Sequence, residues 1–331
     1  MKRAMEAFGI VVALTMLPMA TAHAADAAGP DKGALVEANK FFERGNKFVE
    51  SGSLPRAKQE YEKALKIYPK HLDVLYNLGV VCERLGQKGE AIDQYKRYLE
   101  IKADDADVWT QIGVLYDETG GKKEARTAYE KALTVNPKFG RAHHNLGVLL
   151  KEEGDLKAAE EHLATFVKLE EAAGRQNGDA YYSLGILYLQ ELREKDAKML
   201  LQKAIDIDPS VPHFNNAMGD IYLVEKRPDL SIIYYQKAIE KDPKYALAYS
   251  GLGDAYAQLK ERDKAVTAYH KALDLRPDYA LVYYKLGLLY QDDKPAEAIK
   301  QFEKYLESGK SIQYRDEVAA KIEALKLTLK P

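Results

Sequence analysis

Between Val108 and Leu133 the apolar positions fall into two sets, each with helical spacing. Val108, Trp109, Ile112, Leu115 and Tyr116 recur at three- and four-residue steps and predict a first helix from about Ala106 to Thr119. Gly120-Gly121 interrupts the pattern. Ala125, Ala128, Tyr129, Ala132 and Leu133 then predict a second helix from about Lys122 to Val135, stopped by Asn136-Pro137. A hairpin this short cannot bury both apolar faces, so each hairpin must stack against its neighbours.

The same phrase recurs along the chain. Arg44-Gly45, Leu78-Gly79, Ile112-Gly113, Leu146-Gly147, Leu184-Gly185, Met218-Gly219, Leu252-Gly253 and Leu286-Gly287 are separated by steps of 34, 34, 34, 38, 34, 34 and 34 residues. A fixed period of this length marks a solenoid of stacked helix-turn-helix repeats. Each glycine falls inside a predicted helix, where it costs roughly 1 kcal/mol relative to alanine. Retention of that cost predicts a packing reason.

The third repeat carries Trp109, Ile112-Gly113, Tyr116, Ala125, Tyr129, Ala132 and Pro137. The seventh repeats the pattern with Tyr249, Leu252-Gly253, Tyr256, Ala265, Tyr269, Ala272 and Pro277, and the first with Phe41, Gly45, Phe48, Ala57, Tyr61, Ala64 and Pro69. This pattern resembles the tetratricopeptide repeat (TPR) family over residues 38–312. The resemblance implies an all-α fold, a right-handed superhelix or α-solenoid of about eight repeats. It also implies that the small residues let paired helices approach closely. Residues 313–331, "QYRDEVAAKIEALKLTLK" among them, read as a C-terminal capping helix with Val318, Ile322 and Leu325 on one side.

Some repeats depart from the pattern. The second and fourth place Ala103 and Glu171 in the slot of the terminal proline, and Tyr98 and Phe166 where Ala132 and Ala272 sit elsewhere. The longer step falls at "EEAAGRQNGDA". It predicts a second helix of the fourth repeat that overruns by about a turn, then an insertion near residues 172–178, either tolerated or serving as a partner-contacting lip or hinge. The eighth repeat is one residue short in its turn.

The N-terminus reads differently. Lys2 and Arg3 precede an apolar run from about Phe8 to Met19, followed by Ala22-His23-Ala24, the layout of a secretory signal peptide cleaved after Ala24. The alternative, an uncleaved anchor, meets a run short of the roughly 20 residues a bilayer requires, with Pro18 inside it. Residues 25–37 read as a flexible lead-in that turns helical near Ala34. Together these predict a periplasmic protein with no membrane span after cleavage. The single cysteine, Cys82, occupies the slot of Tyr116 and reads as a buried thiol.

Charge and chemistry narrow the function. A formal net charge of −2 gives no basic footprint for nucleic acid. No catalytic, cofactor or metal site is expected. "SGKS" at 308–311 has Lys304 where a phosphate loop needs its first glycine, and His143, His144 and His162 are loosely grouped without metal-ligand spacing. Most of the 23 tyrosines, such as Tyr116, Tyr129, Tyr256 and Tyr269, fall in repeating core slots, and Tyr188 is expected to face the core with them.

The family resemblance implies a concave groove lined by the first helices of the repeats. The slots carried over to it are Tyr76 in the second repeat, Asp107 and Asp117 in the third, and Arg141, His144 and Lys151 in the fourth. The fifth repeat adds Tyr182 and Ile186, and the eighth Tyr284. Tyr76, Tyr182 and Tyr284 are read as free of core duty and therefore as binding anchors. The basic clamp for acidic chaperone tails is missing, because Asp107 and Gln111, or Asp179 and Ser183, stand in its slots. The asparagine ladder of the glycosyltransferase-linked arrays is also missing. Only Asn77 and Asn145 stand in its slots. The resulting expectation is a non-enzymatic adaptor for envelope proteins or peptides, helping to assemble a motility, pilus, secretion or polysaccharide-export machine. A groove that binds glycan or peptide ligands directly is the alternative.

Overall fold

The computed structural model describes residues 32–308 and 314–329. The segment read as a signal peptide, the lead-in up to residue 31 and most of "SGKS" lie outside the described residues. Among the described residues there are seventeen α-helices and no strand, and the chain divides into two compact units between Ala173 and Gly174.

The N-terminal unit holds four hairpins. These are α1 (Lys32–Glu50) with α2 (Leu54–Ile67), α3 (Leu72–Arg84) with α4 (Lys88–Ile101), α5 (Ala106–Glu118) with α6 (Lys122–Val135), and α7 (Gly140–Glu153) with α8 (Leu156–Ala172). The C-terminal unit holds four more: α9 (Gly178–Gln190) with α10 (Glu194–Ile207), α11 (Pro212–Val224) with α12 (Pro228–Lys241), α13 (Ala246–Gln258) with α14 (Arg262–Leu275), and α15 (Ala280–Tyr290) with α16 (Pro295–Glu307). α17 (Arg315–Thr328) closes this unit by burying Val318 and Ile322 against α16. α1 begins at Lys32, earlier than the expected start near Ala34, so the last residues of the lead-in are helical. α8 has 17 residues against 14 in α6, and Asn177 caps the start of α9 through the Ala180 N–H.

The recurring glycine has a direct physical reason. In six repeats it faces an aromatic ring of its own second helix. The pairs are Gly45 with Tyr61, Gly79 with Tyr95, Gly113 with Tyr129, Gly219 with Tyr235, Gly253 with Tyr269 and Gly287 with Phe302, and an added Cβ would lie under 3.0 Å from the ring in each. All six rings are fully buried. Each contributes on the order of 2–3 kcal/mol through the apolar area it removes from water, which outweighs the roughly 1 kcal/mol propensity cost of the glycine. The fourth and fifth repeats replace the ring by Leu163 and Leu201. At Gly185 the nearest atom to an added Cβ is Leu201 Cγ at 3.2 Å, so the contact loosens there.

The other tyrosine slot behaves differently from its reading as core. Tyr116, Tyr188 and Tyr256 are half-buried, each with a cation over its ring: Lys96 at 5.4 Å, Arg193 at 3.6 Å and Lys264 at 5.3 Å. The slot lies at the C-terminal end of the first helix, where the hairpin turn leaves one ring face to solvent. Long cationic side chains cover that face.

The turn inside seven of the eight hairpins holds one residue in the left-handed region. Gly52, Gly86, Gly120 and Gly154 supply it in the N-terminal unit. In the C-terminal unit Leu192, Lys226 and Lys260 hold the same slot with φ of 64°, 59° and 61°. Side chains bearing a Cβ are strained in that conformation.

Candidate partner-binding faces

In the N-terminal unit a polar network ties three consecutive first helices together. Glu83 of α3 accepts hydrogen bonds from the Tyr95 hydroxyl and, at 2.6 Å, from Gln111 Nε2 of α5. Arg141 of α7 donates through Nη2 to Gln111 Oε1 at 3.1 Å and pairs with Asp107 Oδ1 at 3.2 Å. Burial raises the carboxyl pKa values of Glu83 and Asp107, and the bonds from Tyr95 and Gln111 partly counter this at Glu83. Asp117 receives Lys122 Nζ at 2.5 Å, which also reaches Glu152 at 2.7 Å. The charged side chains carried over to the groove, Asp107, Asp117 and Arg141, are therefore already paired within the unit. Lys151 is half-buried, and burial lowers its pKa. His144 packs against the Phe166 ring at 4.9 Å.

The three tyrosines expected as exposed anchors are not exposed. Tyr182 is only 8% exposed, with its ring edge-on to His213 and beside Phe214 of α11. Tyr284 is 6% exposed, stacked on Tyr314 at 4.5 Å, and its hydroxyl donates to Glu317 Oε1 of α17 at 3.0 Å. Tyr76 is half-buried beside Tyr95 and Tyr98. The slot they share, three residues before the glycine, also holds Phe42 and Thr110, both buried. It turns toward the next first helix, so a large ring there packs between repeats. Ile186 is half-buried against the same cluster as Tyr182.

Two of the loosely grouped histidines meet in the structure. His143 Nδ1 and His162 Nδ1 lie 2.9 Å apart, and His143 Nε2 lies 3.0 Å from the Pro137 carbonyl oxygen. A carbonyl only accepts, so His143 donates from Nε2 and accepts at Nδ1 from His162. Trp109 Nε1 and the Tyr283 hydroxyl make the same bond in their own repeats, to the carbonyls of Ala103 and Pro277. His143 therefore closes the turn between repeats. Among the described residues no three His, Cys, Asp or Glu side chains converge as a metal site.

The sixth and seventh repeats carry a polar cluster that sequence reasoning passed over. Asp220 Oδ1 accepts from the Tyr235 hydroxyl at 2.6 Å, and Asp220 Oδ2 from Asn216 Nδ2 at 3.1 Å. Asp254 Oδ1 accepts from the Tyr269 hydroxyl at 2.7 Å. Lys285 Nζ, buried, reaches Asp254 Oδ2 at 2.7 Å and Ser250 Oγ at 2.9 Å. Burial pushes the Asp220 carboxyl up to about 6; Tyr235 pulls it down, Asp254 adds to the rise and Lys285 opposes it. The available signal was an aspartate directly after the repeat glycine, in "MGD" and "LGD", where four other repeats have Val80, Val114, Val148 and Ile186.

The comparisons with known proteins agree with this architecture. Family profiles described as "Tetratricopeptide repeat" match residues 42–106, 106–139, 128–161, 178–211, 212–245 and 234–267, and one described as "TPR repeat" matches 254–293. The chain belongs to the tetratricopeptide repeat family, whose members generally mediate protein–protein interactions as scaffolds and are typically non-enzymatic. No protein of curated function matches it. Among solved structures it is similar to the APC/C hetero-tetramer Cut9-Hcn1, with 22% identity, 88% of this chain and 55% of that chain covered, and a TM-score of 0.63. Yeast Tom70 gives 17% identity, 94% and 67% coverage and a TM-score of 0.62. Pseudomonas aeruginosa pilF gives 19% identity, 66% and 97% coverage and a TM-score of 0.53. This chain thus spans about half the length of the Cut9-Hcn1 chain it matches, and at these identities the likeness is one of fold. Among the described residues no helix is long and apolar enough to cross a membrane.

Proposed function

We propose that this chain is a non-enzymatic adaptor of the bacterial envelope, exported through the inner membrane, that helps assemble a motility, pilus, secretion or polysaccharide-export machine. The scaffold part of this reading rests on the Glu83–Gln111–Arg141–Asp107 network. It holds charged and amide groups at fixed positions across three consecutive first helices. A rigid pattern of this kind discriminates between partners by electrostatic complementarity, because a mismatched partner leaves desolvated charges unpaired. The export part is supported by Lys2-Arg3, the short apolar run and Ala22-His23-Ala24.

The test has two readouts. Intact mass of the protein purified from its native host is expected to begin at Ala25; a mass retaining residues 1–24 in the membrane fraction would overturn export by cleavage. Capture from envelope extract with wild type and Asp107→Lys is expected to yield a stoichiometric protein partner that the variant loses. Retention of glycan in its place favours a groove that binds glycan directly.

A further inference from the structure

The sixth and seventh repeats build the same arrangement, and only one of them is complete. In the seventh, Asp254 is satisfied by the Tyr269 hydroxyl and by Lys285 Nζ, which also reaches Ser250. In the sixth, Asp220 takes the place of Asp254, Tyr235 that of Tyr269, Asn216 that of Ser250 and Tyr245 that of Tyr279. The residue in the slot of Lys285 is Gly251, which has no side chain and lies against the Tyr235 ring. The lysine is therefore missing from the sixth repeat.

One acceptor beside Asp220, Asn216 Oδ1, is left without a donor. Asn216 is 9% exposed, spends its Nδ2 on Asp220, and has no partner for Oδ1. The Tyr245 hydroxyl is buried and also lacks a partner, and Asp220 is the charged group acting most strongly on that phenol. A buried acceptor left unsatisfied beside a carboxylate calls for a ligand that restores the bond. An ammonium carries three donors on one charged centre, which suits the Asp220 carboxylate and Asn216 Oδ1 together.

We propose that Asp220 and Asn216 form an ammonium subsite on the first helix of the sixth repeat, which takes a lysine side chain of a partner polypeptide as Asp254 and Ser250 take Lys285. The proposal rests on the reading that this face binds polypeptides, and adds the chemistry of one contact.

The probe is a capped peptide of glycine and serine with a single lysine, alongside its twin carrying Nε-acetyl-lysine, titrated by NMR into the full chain with the Asn216 side-chain amide as reporter. A lone contact of this kind is expected to bind in the millimolar range. The lysine peptide should shift the Asn216 resonance saturably and the acetylated twin should not. Asp220→Asn keeps the shape and an acceptor for Tyr235, and should weaken binding about tenfold or more. Lys285→Ala vacates the seventh-repeat copy and should add a second equivalent of binding. Equal binding of the two peptides, no saturable shift, or an unchanged affinity in Asp220→Asn would each overturn the subsite. If a protein partner still binds the Asp220→Asn variant as tightly as wild type, the scaffold reading stands and the subsite alone falls.

Discussion

Gly113 and the Tyr129 ring face each other across the α5–α6 hairpin so closely that one added methyl group would overlap the ring. Two effects of Gly113→Ala then oppose. Helix propensity favours alanine by up to about 1 kcal/mol. Overpacking against a buried ring costs typically about 1–3 kcal/mol. Packing should win, because Tyr129 is fully buried and its ring cannot swing away. Chemical denaturation is expected to show Gly113→Ala destabilised and Gly185→Ala, with its nearest neighbour at 3.2 Å, close to neutral. Equal effects at the two positions would contradict this account.

Lys226 holds a left-handed turn that Gly120 fills without strain in the third repeat. A non-glycine residue in that conformation costs roughly 1–2 kcal/mol, and glycine loses back about 0.5–1 through the freedom of its unfolded chain. Lys226→Gly is therefore expected to raise stability by about 0.5–1 kcal/mol, and Gly120→Lys to lower it by a similar amount. A thermal unfolding series with both variants checks the pair. Lys226 is exposed, so loss of its side chain removes little packing.

The hairpins and their glycines were legible because a 34-residue period repeats one packing problem eight times. What could not be read was which way a slot points once the next repeat is in place. Tyr182 and Tyr284 share a position with Tyr76, and a helical wheel sets all three off the core of their own hairpin. His213, Phe214 and Tyr314 cover two of them, and those residues lie about 30 positions on in sequence. The Asp220 cluster was hidden for the same reason: its meaning depends on Gly251 and Lys285 in later repeats. Local periodicity describes a hairpin well, but it carries no information about pairings between hairpins.

Tyr182 and Tyr188 consequently exchange the roles their spacing suggests. Tyr182→Ala removes a ring packed on His213 and Phe214 and should cost about 3–5 kcal/mol, the range for truncating a buried aromatic. Tyr188→Ala removes a half-buried ring and its contact with the Arg193 guanidinium, for a smaller loss of about 1–2 kcal/mol. Urea unfolding of the two variants orders them directly. A larger loss for Tyr188→Ala would mean that this slot, and not that of Tyr182, carries the core.

Asp220 gives stability a specific dependence on pH. Its carboxyl is pushed up to about 6 by burial, from an ordinary 3.8. Between those values the folded chain holds a proton that the unfolded chain has released, so stability falls as pH rises through the window. Below about pH 4 both states are protonated and the cost is gone. Above pH 6 the charged, buried carboxylate costs up to about 3 kcal/mol, since each tenfold change in proton affinity is worth about 1.4 kcal/mol. Tyr235 and Asn216 bond this group, and the Asp254–Lys285 ion pair of the following repeats acts on it through its charges. Asp220→Asn removes the titration and keeps an oxygen for the Tyr235 hydroxyl. The variant should be more stable than wild type at pH 7.5, and the gap should close as pH is lowered toward 4. Denaturation midpoints measured across that range for both proteins test the sign. A gap that widens on acidification would mean that the carboxylate stabilises the fold in its charged form.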